Sequence, residues 1–198
     1  MRIEFRLRRH TALLATAALM VGCSTTYKPM AVDAKTGLYD TSTQVAPGNI
    51  ASAKTRVSPA DFGAVLVIAD SNRYPSRLEF VARRALAEIG YGTVMNLQEW
   101  RAWAADRKFE VPDDKVTGQV LKDFSSRVSP VLIVDIRYGW MGDTQHFAGL
   151  RVVDGRTLQS LLVVNHPKGV WANVDSEVIY PVLNELRKWH REMTVSKV

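Results

Sequence analysis

The chain has 198 residues, with 26 Lys and Arg against 20 Asp and Glu, a formal charge of +6, and one cysteine. Residues 1–22 hold four of the arginines and one of the acids, so the remainder carries 22 basic and 19 acidic side chains, a net +3. That charge is too small to support nucleic-acid binding. A single cysteine excludes an internal disulfide and a paired-cysteine metal site.

Arg2, Arg6, Arg8 and Arg9 face only Glu4 at the start, and no charge occurs from Thr11 to Gly22. A basic start followed by a short apolar run is the layout of a secretory signal peptide. The run is shorter than the roughly 20 residues a helix needs to cross a bilayer. Ala12 to Val21 also lacks the polar face of an amphipathic helix. It ends Leu19-Met20-Val21-Gly22-Cys23.

This ending resembles the lipobox of bacterial lipoproteins. Val21, Gly22 and Cys23 match the pattern, and Met20 stands where Leu, Val or Ile is usual. The resemblance implies cleavage between Gly22 and Cys23, a diacylglycerol on the Cys23 thiol, and usually acylation of the new amino terminus. The acylated cysteine would make the membrane a partner. Ser24, rather than Asp, in second place implies the outer membrane, facing the periplasm. Without lipidation, Cys23 would be a free thiol or one half of an intermolecular disulfide.

Residues 23–58 are rich in Ser, Thr, Ala, Gly and Pro and sustain neither period 2 nor period 3.6. They read as a lipid anchor and flexible tether with an r.m.s. reach of roughly 30 Å. Leu38, Tyr39, Val45 and Ile50 are more apolar than a spacer requires, so parts can dock as an edge strand or clamp. Residues 59–198 are expected to form a single domain that folds without this tether.

The texture changes near Ala60. "GAVLVIAD" (63–70) reads as a strand buried on both faces. The next segment predicts a helix with Leu78, Val81, Ala82, Ala85, Leu86 and Ile89 on one face, a Ser76–Glu79 capping box and a stop at Gly90. "YGTVMN" (91–96) is a short strand. Asn96 with Glu99 opens a second helix bearing Trp100, Trp103 and Ala104, and Asp113 or Asp114 caps a third through Val116, Val120 and Phe124. "PVLIVDIRYGW" (130–140) is a further strand, and residues 146–167 read as a hairpin turning at Asp154-Gly155. The closing helix aligns Ile179, Val182, Leu183, Leu186 and Trp189, with Pro181 either kinking it or lying near its start.

The order β-α-β-α-α-β-β-β-α predicts an α/β fold (α+β is the alternative), a mixed sheet with helices packed on it. "VLVIADSNRYPSRLEFVARRALAEIGYGTV" and "PVLIVDIRYGW" loosely resemble the small periplasmic α/β modules of envelope lipoproteins. Examples are the amino-terminal domain of TolB, the curli secretion lipoprotein and the lipoprotein activators of penicillin-binding proteins. The resemblance implies an assembly, secretion or regulatory part rather than an enzyme, with a periplasmic or envelope protein as partner.

The sequence contains no G-x-S-x-G, H-E-x-x-H, P-loop or G-x-G-x-x-G motif, and no cofactor is expected. Two site hypotheses remain. Asp70 and Asp135, near the ends of apolar strands, can form an acid/base pair or metal site completed by Asp143 and His146, the reading of a periplasmic hydrolase or metal-dependent enzyme. Against it, aspartates at such places commonly cap turns or point outward. The second set places Arg73, Arg77, Arg83, Arg84, Arg101, Arg107 and Lys108 among Trp100 and Trp103, where cations and aromatics can receive an anionic partner. Against that, Glu79–Arg83 and Arg84–Glu88 are ordinary i,i+4 helix pairs, and tryptophans are more often core. The favoured expectation is a non-enzymatic interaction or assembly module of the cell envelope.

Overall fold

The structure, a computed structural model, describes residues 27–53, 58–71, 73–112 and 116–195. Gly22 and Cys23, and the expected helix caps Asp113 and Asp114, lie outside the described residues.

The first apolar run forms β2 (Ala64–Ser71), and residues 130–141 supply β4 (Val131–Met141), which pairs with it in parallel. A six-stranded mixed sheet forms around this pair in the order β1-β6-β5-β4-β2-β3. Its remaining strands are β1 (Ile50–Ser52), β3 (Val94–Met95), β5 (Gln145–Asp154) and β6 (Ser160–Gly169). The β2–β4 pair is continuous and apolar because it is covered on both faces. Val65, Val67, Leu132, Val134 and Ile136 face one core, while Ala64, Leu66, Val131 and Ile133 face the other.

The first core lies under α1 (Pro75–Glu88) and α4 (Tyr180–Val195), the second under α2 (Leu97–Asp106) and α3 (Gly118–Arg127). Leu78, Val81, Ala82, Ala85 and Leu86 are the buried stripe of α1, at the spacing expected of one helix face. The predicted Ser76–Glu79 capping box does not form. Pro75 occupies the first turn and the cap residue is Tyr74, with no side-chain cap bond. Glu79 instead accepts from Arg83 and from the Asn96 amide. At the other end Gly90, at φ +103°, lets the Tyr91 N–H reach back to the Leu86 carbonyl, closing the helix in a left-handed turn. The second capping box is present, with Asn96 and Glu99 each bonding the other's backbone N–H. Helix α3 begins at Gly118 under a Thr117 cap, later than expected.

The hairpin of β5 and β6 turns at Asp154-Gly155 as predicted. A Cβ at Gly155 would lie 2.5 Å from the Val131 carbonyl oxygen, so the turn's approach to β4 requires glycine.

Pro181 lies at the start of α4, directly after a π-helical turn over Val174–Ile179. Proline has no N–H for the carbonyl four residues back. That carbonyl, on Glu177, bonds instead to His166 Nε2 at 2.8 Å and the Thr43 hydroxyl at 3.1 Å.

Thr43 belongs to a strap. Residues 27–53, expected within a flexible tether, lie along α4 and the sheet edge in the structure. Tyr39 and Val45 are buried in the first core. Asn184 of α4 holds both backbone groups of Tyr39, at 2.8 and 3.0 Å. Arg187 donates to the Gly37 carbonyl, and the Tyr39 hydroxyl donates to Glu88. The strap ends as β1, antiparallel to β6, one of the two docking modes its apolar residues suggest. From β2 onward the observed order repeats the expected one; β1 is the addition.

Candidate functional site

The three residues of the enzyme hypothesis do not converge. Successive strand residues point to opposite faces. Asp135 lies on the face of Ile133, in the core beneath α2 and α3, and Asp70 shares that face, paired in register with Arg137. His146 lies on the face of Ala148 and Leu150, in the core beneath α1 and α4. The sheet therefore separates His146 from both aspartates.

Each of the buried groups also has a structural occupation. Asp135 is buried, with Arg137 donating to both its oxygens at 3.1 and 2.9 Å and Arg151 to one at 3.3 Å. His146 Nε2 faces the Val170 carbonyl at 3.0 Å and its Nδ1 faces the Tyr138 hydroxyl at 2.8 Å. A carbonyl only accepts, so Nε2 carries a proton; in the neutral ring Tyr138 donates to Nδ1. Burial raises the Tyr138 phenol above its ordinary value. Asp143 is exposed in the β4–β5 turn. Among the described residues no group of three His, Cys, Asp or Glu side chains could hold a metal ion.

The cationic set is dispersed. Arg77 and Arg84 lie on α1 and Arg101 on α2, which cover opposite faces of the sheet. Arg84 pairs with Glu88 at 2.7 Å, and Arg83 pairs with Glu79 and Glu99. Among the described residues Arg101 reaches the Pro112 carbonyl, at 3.5 Å. Trp100 is fully buried against Phe124, and Trp103 packs on the same ring. Arg107 lies over Trp103 at 4.0 Å, a local helix contact. These side chains do not share one platform.

Arg73 and Arg77 belong elsewhere, at the edge where β2, β4 and β6 end and α1 and the π-helical turn begin. Arg77 pairs with Asp175 and stacks over Tyr27, 4.1 Å from the ring centre. Arg73 lies 5.6 Å from the Tyr74 ring and 5.9 Å from Trp140. The Trp140 ring packs on His146 at 4.0 Å, and the Val170 N–H bonds the Thr144 carbonyl. The loop after β6 is thereby joined to the β4–β5 turn. This edge carries Trp140, Met141 and Trp171, which are 36%, 53% and 96% exposed. Met141 and Trp171 formed no part of either sequence hypothesis. The available signal was a lone tryptophan within the Gly- and Asn-bearing segment "KGVWANVD", where no apolar period calls for one.

No protein-family profile matches the chain, and no curated protein matches it. Among solved structures it is similar to a PelC dodecamer from Paraburkholderia phytofirmans, at 15% identity and a TM-score of 0.39, over 70% of this chain and 97% of that one. It is also similar to lipoprotein GNA1162 from Neisseria meningitidis, at 15% identity and a TM-score of 0.36, over 69% of this chain and 99% of that one. Likenesses at such scores assign no function.

Proposed function

We propose that this chain is a bacterial envelope lipoprotein, cleaved between Gly22 and Cys23, acylated on Cys23 and held at the periplasmic face of the outer membrane. There its α/β domain acts as a non-enzymatic interaction or assembly module for an envelope protein. The observation that carries the reading is the coincidence, within 23 residues, of a basic start, an uncharged apolar run and the chain's one cysteine at its end. Among the described residues no helix is long and apolar enough to cross a membrane. A single acyl chain gives only marginal, reversible binding, whereas two or more give stable anchoring.

Fractionation tests it. The protein should remain with membranes in high salt and leave them in detergent, because screening weakens charge attachment but leaves acyl chains buried. Cys23→Ser should leave an unprocessed precursor or a soluble form. A Cys23→Ser protein processed and membrane-bound like the parent would overturn the assignment.

A further inference from the structure

We propose that the aromatic edge formed by Trp140, Met141 and Trp171, together with Arg73, is a membrane-contacting surface that lies on the headgroup layer when the chain is anchored. The inference rests on the lipidation reading above and adds an orientation to it.

The length of chain before the strap sets the distance. Tyr27 is fixed to the domain, with its hydroxyl 3.0 Å from that of Tyr180 and its ring under Arg77. Four residue steps separate it from Cys23, so the lipidated residue lies at most about 14 Å away. The roughly 30 Å spacer that the sequence suggests is not available, because the strap from Tyr27 onward is docked.

Tyr27 and the exposed aromatics share one edge of the molecule. Contacts run from Tyr27 to Arg77 (4.1 Å), from Arg77 to Tyr74 (5.7 Å), from Tyr74 to Arg73 (5.6 Å) and from Arg73 to Trp140 (5.9 Å). The backbone bond from Val170 to Thr144 holds the loop carrying Trp171 beside the turn that follows Trp140 and Met141. An anchor that stops within about 14 Å of Tyr27 therefore brings this edge to the bilayer and turns the β5–β6 turn, at the opposite end of the sheet, away from it.

The chemistry of the edge suits the headgroup layer. Tryptophan combines a large apolar ring with an N–H donor and concentrates at membrane–water interfaces. Trp171 has almost no protein around it, so its ring adds nothing to the core. Arg73 is exposed beside Trp140 and can meet lipid phosphate.

The test uses the full chain, extracted from membranes and reconstituted into phosphatidylethanolamine/phosphatidylglycerol vesicles containing a spin-labelled lipid. With Cys23 acylated, an introduced cysteine is the only free thiol. A nitrobenzoxadiazole probe is placed at Asp143→Cys in the β4–β5 turn, or at Thr157→Cys in the β5–β6 turn. Quenching by the spin label should be at least about threefold stronger at 143 than at 157. Trp171→Ala should reduce the signal at 143 towards that at 157. Equal quenching at the two sites in protein shown by mass to be lipidated would overturn the proposal and leave the anchor standing; the edge would then be free for a protein partner. An unchanged signal at 143 in Trp171→Ala would overturn the role given to Trp171. Absence of the lipid mass on Cys23 would overturn both readings together.

Discussion

At the scale of single residues, the polar groups that look reactive in the sequence prove to be fastenings. His146 fixes the loop at Val170, Asp135 holds two arginines, and His166 satisfies the carbonyl that Pro181 releases. Asn184 offers the sharpest test, since its side-chain amide bonds both backbone groups of the buried Tyr39. Asn184→Ala should lower unfolding free energy by about 1–3 kcal/mol, the cost of leaving buried backbone groups unpaired. Chemical denaturation reads this directly, and a loss near zero would show that water replaces the amide. Burial holds His166 and His190 below the ordinary imidazole value, with Lys168 and Arg187 respectively adding to it. The unfolded chain therefore binds protons that the folded one refuses. This contribution to stability is complete above the ordinary imidazole value of about pH 6.5 and is lost as pH falls from there through the lowered folded values, at no more than about 1.4 kcal/mol per pH unit for each group. The melting temperature should drop between pH 7 and 5, less so in His166→Gln. A melting temperature that rises over that range would contradict the assignment.

At the scale of elements, what was legible followed from local pattern. Strand β2, strand β4, the buried stripe of α1 and the Asn96–Glu99 box are each written in a few adjacent residues. The misreadings have separate causes. Pro75 in the first turn leaves Ser76 inside α1 and not at its cap, and Glu79 pairs with Arg83 and Asn96. Tyr39 lies in a segment with no periodicity, and what orders it is an asparagine 145 positions further on. No local window contains that information. The strap makes an element-level prediction that reverses the expectation of a self-sufficient domain from residue 59. A chain beginning at Ser58 loses Tyr39 and Val45 from the core, the backbone partner of Asn184 and the Gly37 carbonyl that accepts from Arg187. Removing one buried aromatic alone costs about 3–5 kcal/mol, a large share of a domain's stability. Such a chain should melt far below one beginning at Ser24, or without a cooperative transition by near-ultraviolet circular dichroism. Coincident melting curves would return the strap to the status of a spacer.

At the scale of the whole molecule, the candidate site was the least legible part. Asp70, Asp135 and His146 lie near strand ends in the sequence, but which face each takes depends on register, and the sheet puts the histidine behind it. The exposed edge with Trp171 arises from loops brought together by topology, which no spacing records. In the reading proposed above, lipid on Cys23 holds this domain to the membrane. The mass of the amino-terminal peptide, from protein extracted from its native membrane with detergent, tests this without intermediaries. The expected peptide begins at Cys23 and carries a diacylglycerol on sulfur, with or without an acyl chain on nitrogen. A peptide beginning elsewhere, or an unmodified thiol at Cys23, would contradict that reading.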